Sequence, residues 1–130
     1  GANMGADPFA INTTGHAKAF AGGNGSNIIG DYAWYIENNP SHRTHPVGSK
    51  LPNKLGLYDM SGNVNEWCWD FRGDYPAGYL ADYQGAASGY SHIRRGGGWD
   101  QLAYFCTVAY RIAYGPWVDS RNSGFRVVRP

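Results

Sequence analysis

The chain has 130 residues, a size typical of one domain, and it carries 19 glycines, 10 tyrosines, 5 tryptophans and 5 phenylalanines. Many glycine and aromatic residues, with only 16% charged residues, argue against a helical bundle and favour short strands joined by ordered loops. The net charge is +1 and no basic run is longer than Arg94–Arg95, which excludes nucleic-acid binding through a basic surface. No apolar run reaches the length of a membrane-spanning helix, so membrane insertion is not expected.

The first half of the chain contains few segments that favour regular structure. Residues 1–30 are small and polar, and we expect them to form an N-terminal arm or a reduced first strand. An aromatic-rich segment follows at Asp31–Glu37, and the sequence Asn38–Pro40 ends it. Residues 41–53 are typical of an ordered loop.

The stretch Leu55–Asp70, LGLYDMSGNVNEWCWD, organises the rest of the chain. Turn-forming residues at Ser61–Asn63 separate two apolar, aromatic-rich ends, which predicts a strand–turn–strand or helix–turn–strand unit. Tyrosine and tryptophan at such a density are expected to bury much apolar area per residue. We expect this unit to form the core of the domain.

The second half alternates long loops with short segments. Residues 71–90 predict a loop of about twenty residues, a length often associated with function. Residues 91–95 lead into the glycine triplet 96–98. After it we expect a strand or irregular turn over 100–111, a second long loop over 112–123, and a terminal strand over 124–129, where apolar and basic residues alternate.

Three motifs in order, GLYDMSGNVNEWCWD, IRRGGGWD and GFRVVR, make the chain similar to the formylglycine-generating-enzyme/sulfatase-modifying-factor family. The resemblance covers about Asp31 to Arg129, which predicts one domain over 31–130 preceded by the arm 1–30. It implies an α+β protein with a C-type-lectin-like fold, built from a small mixed β-sheet, few helices and long ordered loops. One departure lies inside the first motif, where Asn65 replaces the tryptophan that is usual in the family.

Active members of this family oxidise a substrate cysteine with a copper-binding pair of cysteines. The matching positions here hold Gln101 and Cys106, so one thiolate is absent. Copper(I) needs soft thiolate ligands, and an amide is a poor substitute. The resemblance therefore implies a member that is not an enzyme and has no catalytic residues. Cys68 and Cys106 are one disulfide candidate, and two buried free thiols fit the sequence equally well.

Calcium is the metal that the resemblance suggests, although no cofactor is required. Family members hold it around the turn that here contains Asn63, Val64 and Glu66, whose oxygens suit calcium. The alternative is that Asn63 forms an Asx-turn and that Glu66 pairs with an arginine such as Arg111 or Arg126. His42 and His45 are close in sequence, but they lack a third ligand for iron and are expected to be loop histidines.

A set of aromatic, apolar and acidic residues lies between the family's scaffold positions in the C-terminal part of the chain. Relatives usually have small or polar residues at several of these places, and Tyr and Trp supply large contact area for little conformational entropy. We interpret the set as a ligand-binding face, with core packing as the alternative for any single ring. Its members are Asp100, Gln101, Tyr104, Phe105, Tyr110, Ile112, Tyr114, Trp117 and Asp119.

The same C-terminal segment is the variable region of family members diversified by retroelements. This resemblance suggests a diversified binding module at the cell surface or outside the cell, with its leader outside this sequence and an unknown protein or glycan as its ligand. A homo-oligomer is the alternative, in which the N-terminal arm and the edge of the terminal strand join copies into a surface or filament assembly.

Overall fold

The structure is a computed structural model that describes residues 19–22, 28–78 and 81–129. These parts contain four short strands and three one-turn 3₁₀-helices. The strands are β1 (Asn65–Phe71), β2 (His92–Arg95), β3 (Ile112–Tyr114) and β4 (Ser123–Gly124). The 3₁₀-helices span Ile29–Asp31, Ile36–Asn38 and Ala103–Cys106.

The four strands form one mixed sheet in the order β3-β2-β1-β4. Strand β2 is antiparallel to both of its neighbours, and β4 runs parallel to β1. Trp67 pairs with Arg94, and the register then shifts before Phe71 pairs with His92. A small mixed sheet with few helices and long loops confirms the expected fold class.

The apolar core lies between the N-terminal segments and the last 3₁₀-helix. The expectation that Leu55–Asp70 forms the core was wrong, because Leu55 and Trp69 are 82% and 92% exposed. The buried side chains of the core are Phe20, Ile29, Ala33, Ala103 and Cys106. Phe20 belongs to the expected arm, and the amide of Val108 donates a hydrogen bond to the Ala19 carbonyl over 2.7 Å. The described part of the arm therefore packs against the segment that carries the aromatic residues.

The turn predicted at Ser61–Asn63 is confirmed. Gly62 and Asn63 both have positive φ values, 75° and 65°. A side chain at Gly62 would collide with the carbonyl group of Trp34, so glycine is required on steric as well as conformational grounds. The turn leads into β1, whereas residues 55–60 form no strand, so only the second half of the predicted unit is regular.

Two expectations for the C-terminal half were wrong. Of the two alternatives for residues 100–111, the structure has the irregular turn, with a one-turn 3₁₀-helix at Ala103–Cys106, but the expected loop 112–123 contains β3. The terminal strand is limited to Ser123–Gly124, because Phe125, Val127 and Val128 are 77–83% exposed and bury no face. The alternation of apolar and basic residues therefore did not by itself predict which segments pair with a neighbouring strand.

Within the described residues, no helix is long and apolar enough to cross a membrane.

Candidate functional site

The glycine triplet holds Cys106 inside the domain. Gly97 has a φ of 72°, and a Cβ at this position would lie 2.6 Å from the Cys106 sulfur. Cys106 is fully buried. Burial raises the pKa of the Cys106 thiol to about 12, although a hydrogen bond with the backbone of Gly62 acts in the opposite direction. The thiol is therefore neutral at physiological pH and is a weak nucleophile and metal ligand.

Gln101 ties the glycine triplet to the start of β1. Its side-chain oxygen accepts hydrogen bonds from the Gly98 amide and from the Asn65 side-chain amide, each over 2.9 Å. Its backbone carbonyl accepts a bond from the Ile36 amide over 3.1 Å. Gln101 was expected in the ligand-binding face, but in this arrangement it bonds internal groups.

Cys68 and Cys106 are both free thiols, so the structure does not form the candidate disulfide between them. Cys68 is half-buried on β1. Burial raises the pKa of the Cys68 thiol, and the nearby Asp70 carboxylate adds to the increase.

The side chains named for calcium are engaged with other parts of the protein. Asn63 accepts a hydrogen bond from the His45 amide and donates one to the His45 carbonyl, over 3.0 and 3.1 Å. Glu66 accepts two hydrogen bonds from the Arg126 guanidinium, over 2.9 and 2.7 Å. The alternative partner Arg126 is therefore the one observed. Because the side-chain oxygens of Asn63 and Glu66 already accept hydrogen bonds from His45 and Arg126, they could bind a calcium ion only if these bonds were broken.

The histidine pair does not converge on a common site. The His45 ring stacks on Trp34 at 3.7 Å between centroids, and its Nε2 lies 2.9 Å from the Asn39 side-chain oxygen. His42 is exposed in a loop position with a φ of 49°. In the described parts of the chain, no group of three histidine, cysteine or acidic side chains is arranged to hold a metal.

Three aromatic rings from the expected face pack against one another. Tyr104, Phe105 and Tyr110 form edge-to-face pairs with centroid separations of 5.0 to 5.6 Å, and we call them the aromatic cluster. Tyr104 is 55% exposed, whereas the other two are half-buried. Burial raises the pKa of the Tyr110 hydroxyl, and the nearby Tyr114 and Tyr104 hydroxyls contribute to the increase. The cluster is thus part of the surface and has a fixed ring geometry.

The other expected face residues divide between surface and interior. Trp117 is 75% exposed and Asp119 is exposed. Asp100 accepts a hydrogen bond from the Asn122 side chain over 2.7 Å. Ile112 is half-buried on β3.

Tyr114 stacks on a buried arginine. The Arg94 guanidinium lies 3.8 Å from the centroid of the Tyr114 ring and 5.0 Å from that of Trp67. Arg94 is 3% exposed and also donates a hydrogen bond to the Ser123 hydroxyl. Tyr114 therefore packs on the sheet, and the exposed members of the expected face are Tyr104, Trp117 and Asp119.

A cleft that the sequence did not predict lies beside β3. It has a volume of about 290 Å³ and is lined in part by Arg72, Asp74 and Arg111. The dipeptides Phe71-Arg72 and Tyr110-Arg111 were visible in the sequence, but they are far apart in the chain and only the fold brings their arginines together.

The chain matches the family model described as "Sulfatase-modifying factor enzyme 1-like domain" over residues 7–130. It is 32% identical over 102 residues to the chaperone protein LppX of Paenibacillus barcinonensis, covering 78% of this chain and 33% of that protein. It is 36% identical over 88 residues to the formylglycine-generating enzyme of Streptomyces coelicolor, covering 64% of this chain and 28% of the enzyme.

A solved structure has a similar fold. Variable protein 1 of Treponema denticola has a TM-score of 0.74 and 40% sequence identity, and the match covers 87% of this chain and 41% of that one. The chain therefore spans less than half the length of each of these three proteins.

Proposed function

Because the chain belongs to the formylglycine-generating-enzyme/sulfatase-modifying-factor family, we propose that it is a non-catalytic member that binds a ligand through the aromatic cluster. The observation that carries the proposal is the mutual edge-to-face packing of three rings at the surface, with Tyr104 more than half exposed. Exposed aromatic groups with a fixed geometry are typical of binding surfaces, since little conformational entropy is lost on contact.

The backbone beneath the cluster is anchored on both sides. Ala103 and Cys106, in the 3₁₀-helix that carries Tyr104, are buried in the core. On the other side, the Arg95 guanidinium donates hydrogen bonds to the carbonyls of Val108 and Tyr110, over 3.1 and 3.4 Å. This anchoring supports a preformed site, in which few groups must be ordered on binding.

The absence of oxidase activity is part of the proposal. Gln101 replaces a cysteine, and the thiol of Cys106 is neutral because burial raises its pKa to about 12. An amide oxygen that accepts two internal hydrogen bonds and a buried neutral thiol do not fit copper(I). We further propose that the module needs no cofactor and acts at the cell surface or outside the cell.

The resemblance to a variable protein supports a further part of the proposal, that the segment 100–123 is diversified between otherwise similar chains. The segment contains the whole aromatic cluster. A reverse-transcriptase gene and a near-copy of the segment in the neighbouring DNA are expected, and the absence of both would contradict diversification.

Selection against a random peptide library and a glycan array tests the binding role. We expect recovered ligands to bind Tyr104→Ala at least about tenfold more weakly than the original chain, as for a central aromatic contact. Trp69→Ala is the matched control, because Trp69 is 92% exposed and makes no ring contact with the cluster among the described residues. Ligands that bind Tyr104→Ala as tightly as the original chain would contradict the proposal.

Self-association is a second candidate function, favoured by the exposed C-terminal segment. Phe125, Val127 and Val128 are each at least 77% exposed and follow β4, which is at the edge of the sheet. An exposed edge with apolar neighbours invites pairing with another chain. Light scattering across a concentration series would show oligomers that Val127→Lys weakens, whereas a strict monomer at high concentration would contradict self-association.

A further inference from the structure

The cleft beside β3 has a mixed lining that the aromatic cluster does not explain. It lies between the segment that follows β1 and the first residues of β3. Apolar and charged side chains both line it: Arg72, Asp74, Ile93, Arg111, Ile112 and Ala113. Such a lining suits a ligand with an apolar part and a charged group.

Arg111 is held in place by uncharged partners. Its Nη2 donates a hydrogen bond to the Gly73 carbonyl over 2.6 Å. Its guanidinium lies 3.8 Å from the centroid of the Tyr75 ring. Because neither partner is anionic, the orientation of the guanidinium is fixed while its positive charge stays uncompensated.

The guanidinium of Arg95 also contacts Tyr75. The Arg95 Nη2 donates a hydrogen bond to the Tyr75 hydroxyl over 2.6 Å. Tyr75 therefore contacts Arg95 through its hydroxyl and Arg111 through its ring. Two like charges held around one side chain repel each other, and an anion between or beside them would lower that repulsion.

Among the described residues, no acidic side chain forms an ion pair with Arg95 or Arg111. Within the described residues, the ion pair observed is Glu66 with Arg126. Arg72 lines the cleft and is likewise without an ion pair there. Asp74 is the acidic residue in the lining, so two arginines and one carboxylate line the cleft in a chain whose net charge is only +1.

We propose that this cleft is an anion-binding site that takes the oxyanion group of a small ligand, a carboxylate, sulfate or phosphate. Arg111 and Arg72 bind the oxygens, because arginine presents its N–H groups in a planar fork that matches such groups. The half-buried Ile112 and Ala113 contact the apolar part of the ligand. Arg95, which donates a hydrogen bond to the hydroxyl of the tyrosine that Arg111 stacks on, adds positive charge nearby. The lining contains none of the three rings of the aromatic cluster, and the site does not depend on the role of that cluster.

Titration of the chain with sodium sulfate, sodium phosphate and sodium benzoate tests the site. The measurement is the NMR shift of the arginine Nε–Hε signals in a low-salt chloride buffer. We expect saturable shifts of the Arg111 and Arg72 signals with at least one probe. We expect Arg111→Gln to weaken binding about tenfold or more, the scale of a lost hydrogen bond to a charged group.

The matched control is Arg43→Gln, which removes the same charge from an exposed loop arginine outside the cleft. It should change the affinity less than about twofold, the size of a screened long-range effect. If Arg111→Gln unfolds, Arg72→Gln provides the same test. The Arg72 side chain forms no hydrogen bond with a described residue, so its removal should leave the domain folded.

The pattern of probes identifies the source of the oxyanion. Saturation by sulfate or phosphate assigns the site to a tetrahedral group, and saturation by benzoate alone assigns it to a carboxylate on an apolar stem. The absence of saturation with all three probes would overturn the proposal. An equal loss of affinity in Arg43→Gln would overturn it as well, because binding would then reflect net charge rather than the cleft.

Discussion

At the scale of single residues, the two positions that depart from the family's pattern are in contact. Asn65 replaces a tryptophan and Gln101 replaces a cysteine, and the Asn65 side-chain amide donates to the Gln101 side-chain oxygen over 2.9 Å. Asn65 also lies within 3.4 Å of the Asn122 carbonyl, near the start of β4. The resemblance identified both departures, but the fold was needed to show that they bond each other.

We therefore expect Gln101→Ala to lower the free energy of unfolding by about 1–3 kcal/mol. The change leaves the Gly98 amide without its partner and leaves the Asn65 side-chain amide with only its 3.4 Å bond to the Asn122 carbonyl. Urea unfolding measures the loss, and Gln84→Ala, at an exposed glutamine, is the matched control and should change stability little. In a double-mutant cycle the effects of Gln101→Ala and Asn65→Ala should be non-additive. Strict additivity would contradict the direct bond.

The buried thiol of Cys106 predicts how stability changes with pH. Burial raises its pKa from 9.0 to about 12 in the folded chain. Between these two values the unfolded chain releases a proton that the folded chain keeps, so the free energy of unfolding falls as the pH rises. Urea unfolding between about pH 8 and about pH 11 should show a steeper fall for the original chain than for Cys106→Ala. Equal slopes would contradict a buried, neutral Cys106.

At the scale of elements, the 3₁₀-helix Ala103–Cys106 separates the core from the aromatic cluster. Ala103 and Cys106 face the core, whereas Tyr104 is 55% exposed. This one turn of helix therefore contains both residues that pack in the core and a residue that could contact a ligand, which were the two alternatives for this segment. The outcome differs from ring to ring, because Tyr110 is half-buried and Tyr114 packs on Arg94.

Truncation of a buried ring should destabilise the domain more than truncation of an exposed ring. Tyr104→Ala should lower the free energy of unfolding by less than about 1 kcal/mol, as expected for a surface position. Phe20→Ala, which removes a ring that is 3% exposed, should cost about 3–5 kcal/mol. Urea unfolding compares the two variants. A loss at Tyr104 as large as the loss at Phe20 would make the cluster part of the core.

Elements that are set by their own residues were predicted from the sequence, whereas elements that need a partner far away in the chain were not. The turn at Ser61–Asn63 is set by Gly62 and Asn63 themselves, and it was predicted. Strand β3 was not predicted, because its three residues form a strand only by pairing with β2, about twenty residues earlier in the chain. The opposite error occurred at residues 125–129, which alternate like a strand but are not one in the structure.

At the scale of the whole molecule, the motifs predicted the fold class, and the mixed sheet confirms it. They did not predict the arginine-lined cleft, whose charged residues come from two separate segments of the chain. Motifs record scaffold positions that members of a family share. Side chains that converge through tertiary structure leave no local pattern in one sequence.

The bonds around the first motif predict that calcium does not stabilise the domain. Asn63 and Glu66 bond His45 and Arg126, so calcium would have to displace both partners. We expect calcium chloride or EDTA to shift the melting temperature by less than about 1 °C, because a ligand stabilises only if it binds the folded chain. Magnesium chloride at equal ionic strength is the control. A rise of several degrees with calcium alone would contradict this prediction.

The most direct test of a non-catalytic binding module is a map of where a selected ligand contacts the original chain. Amide NMR shifts would be recorded while a peptide or glycan recovered by selection is added to saturation. We predict the largest shifts at residues 102–110 and at Trp117, with small shifts along β1. Large shifts along β1 or at residues 125–129, with none at the aromatic cluster, would contradict the account and move the binding surface to the edge of the sheet.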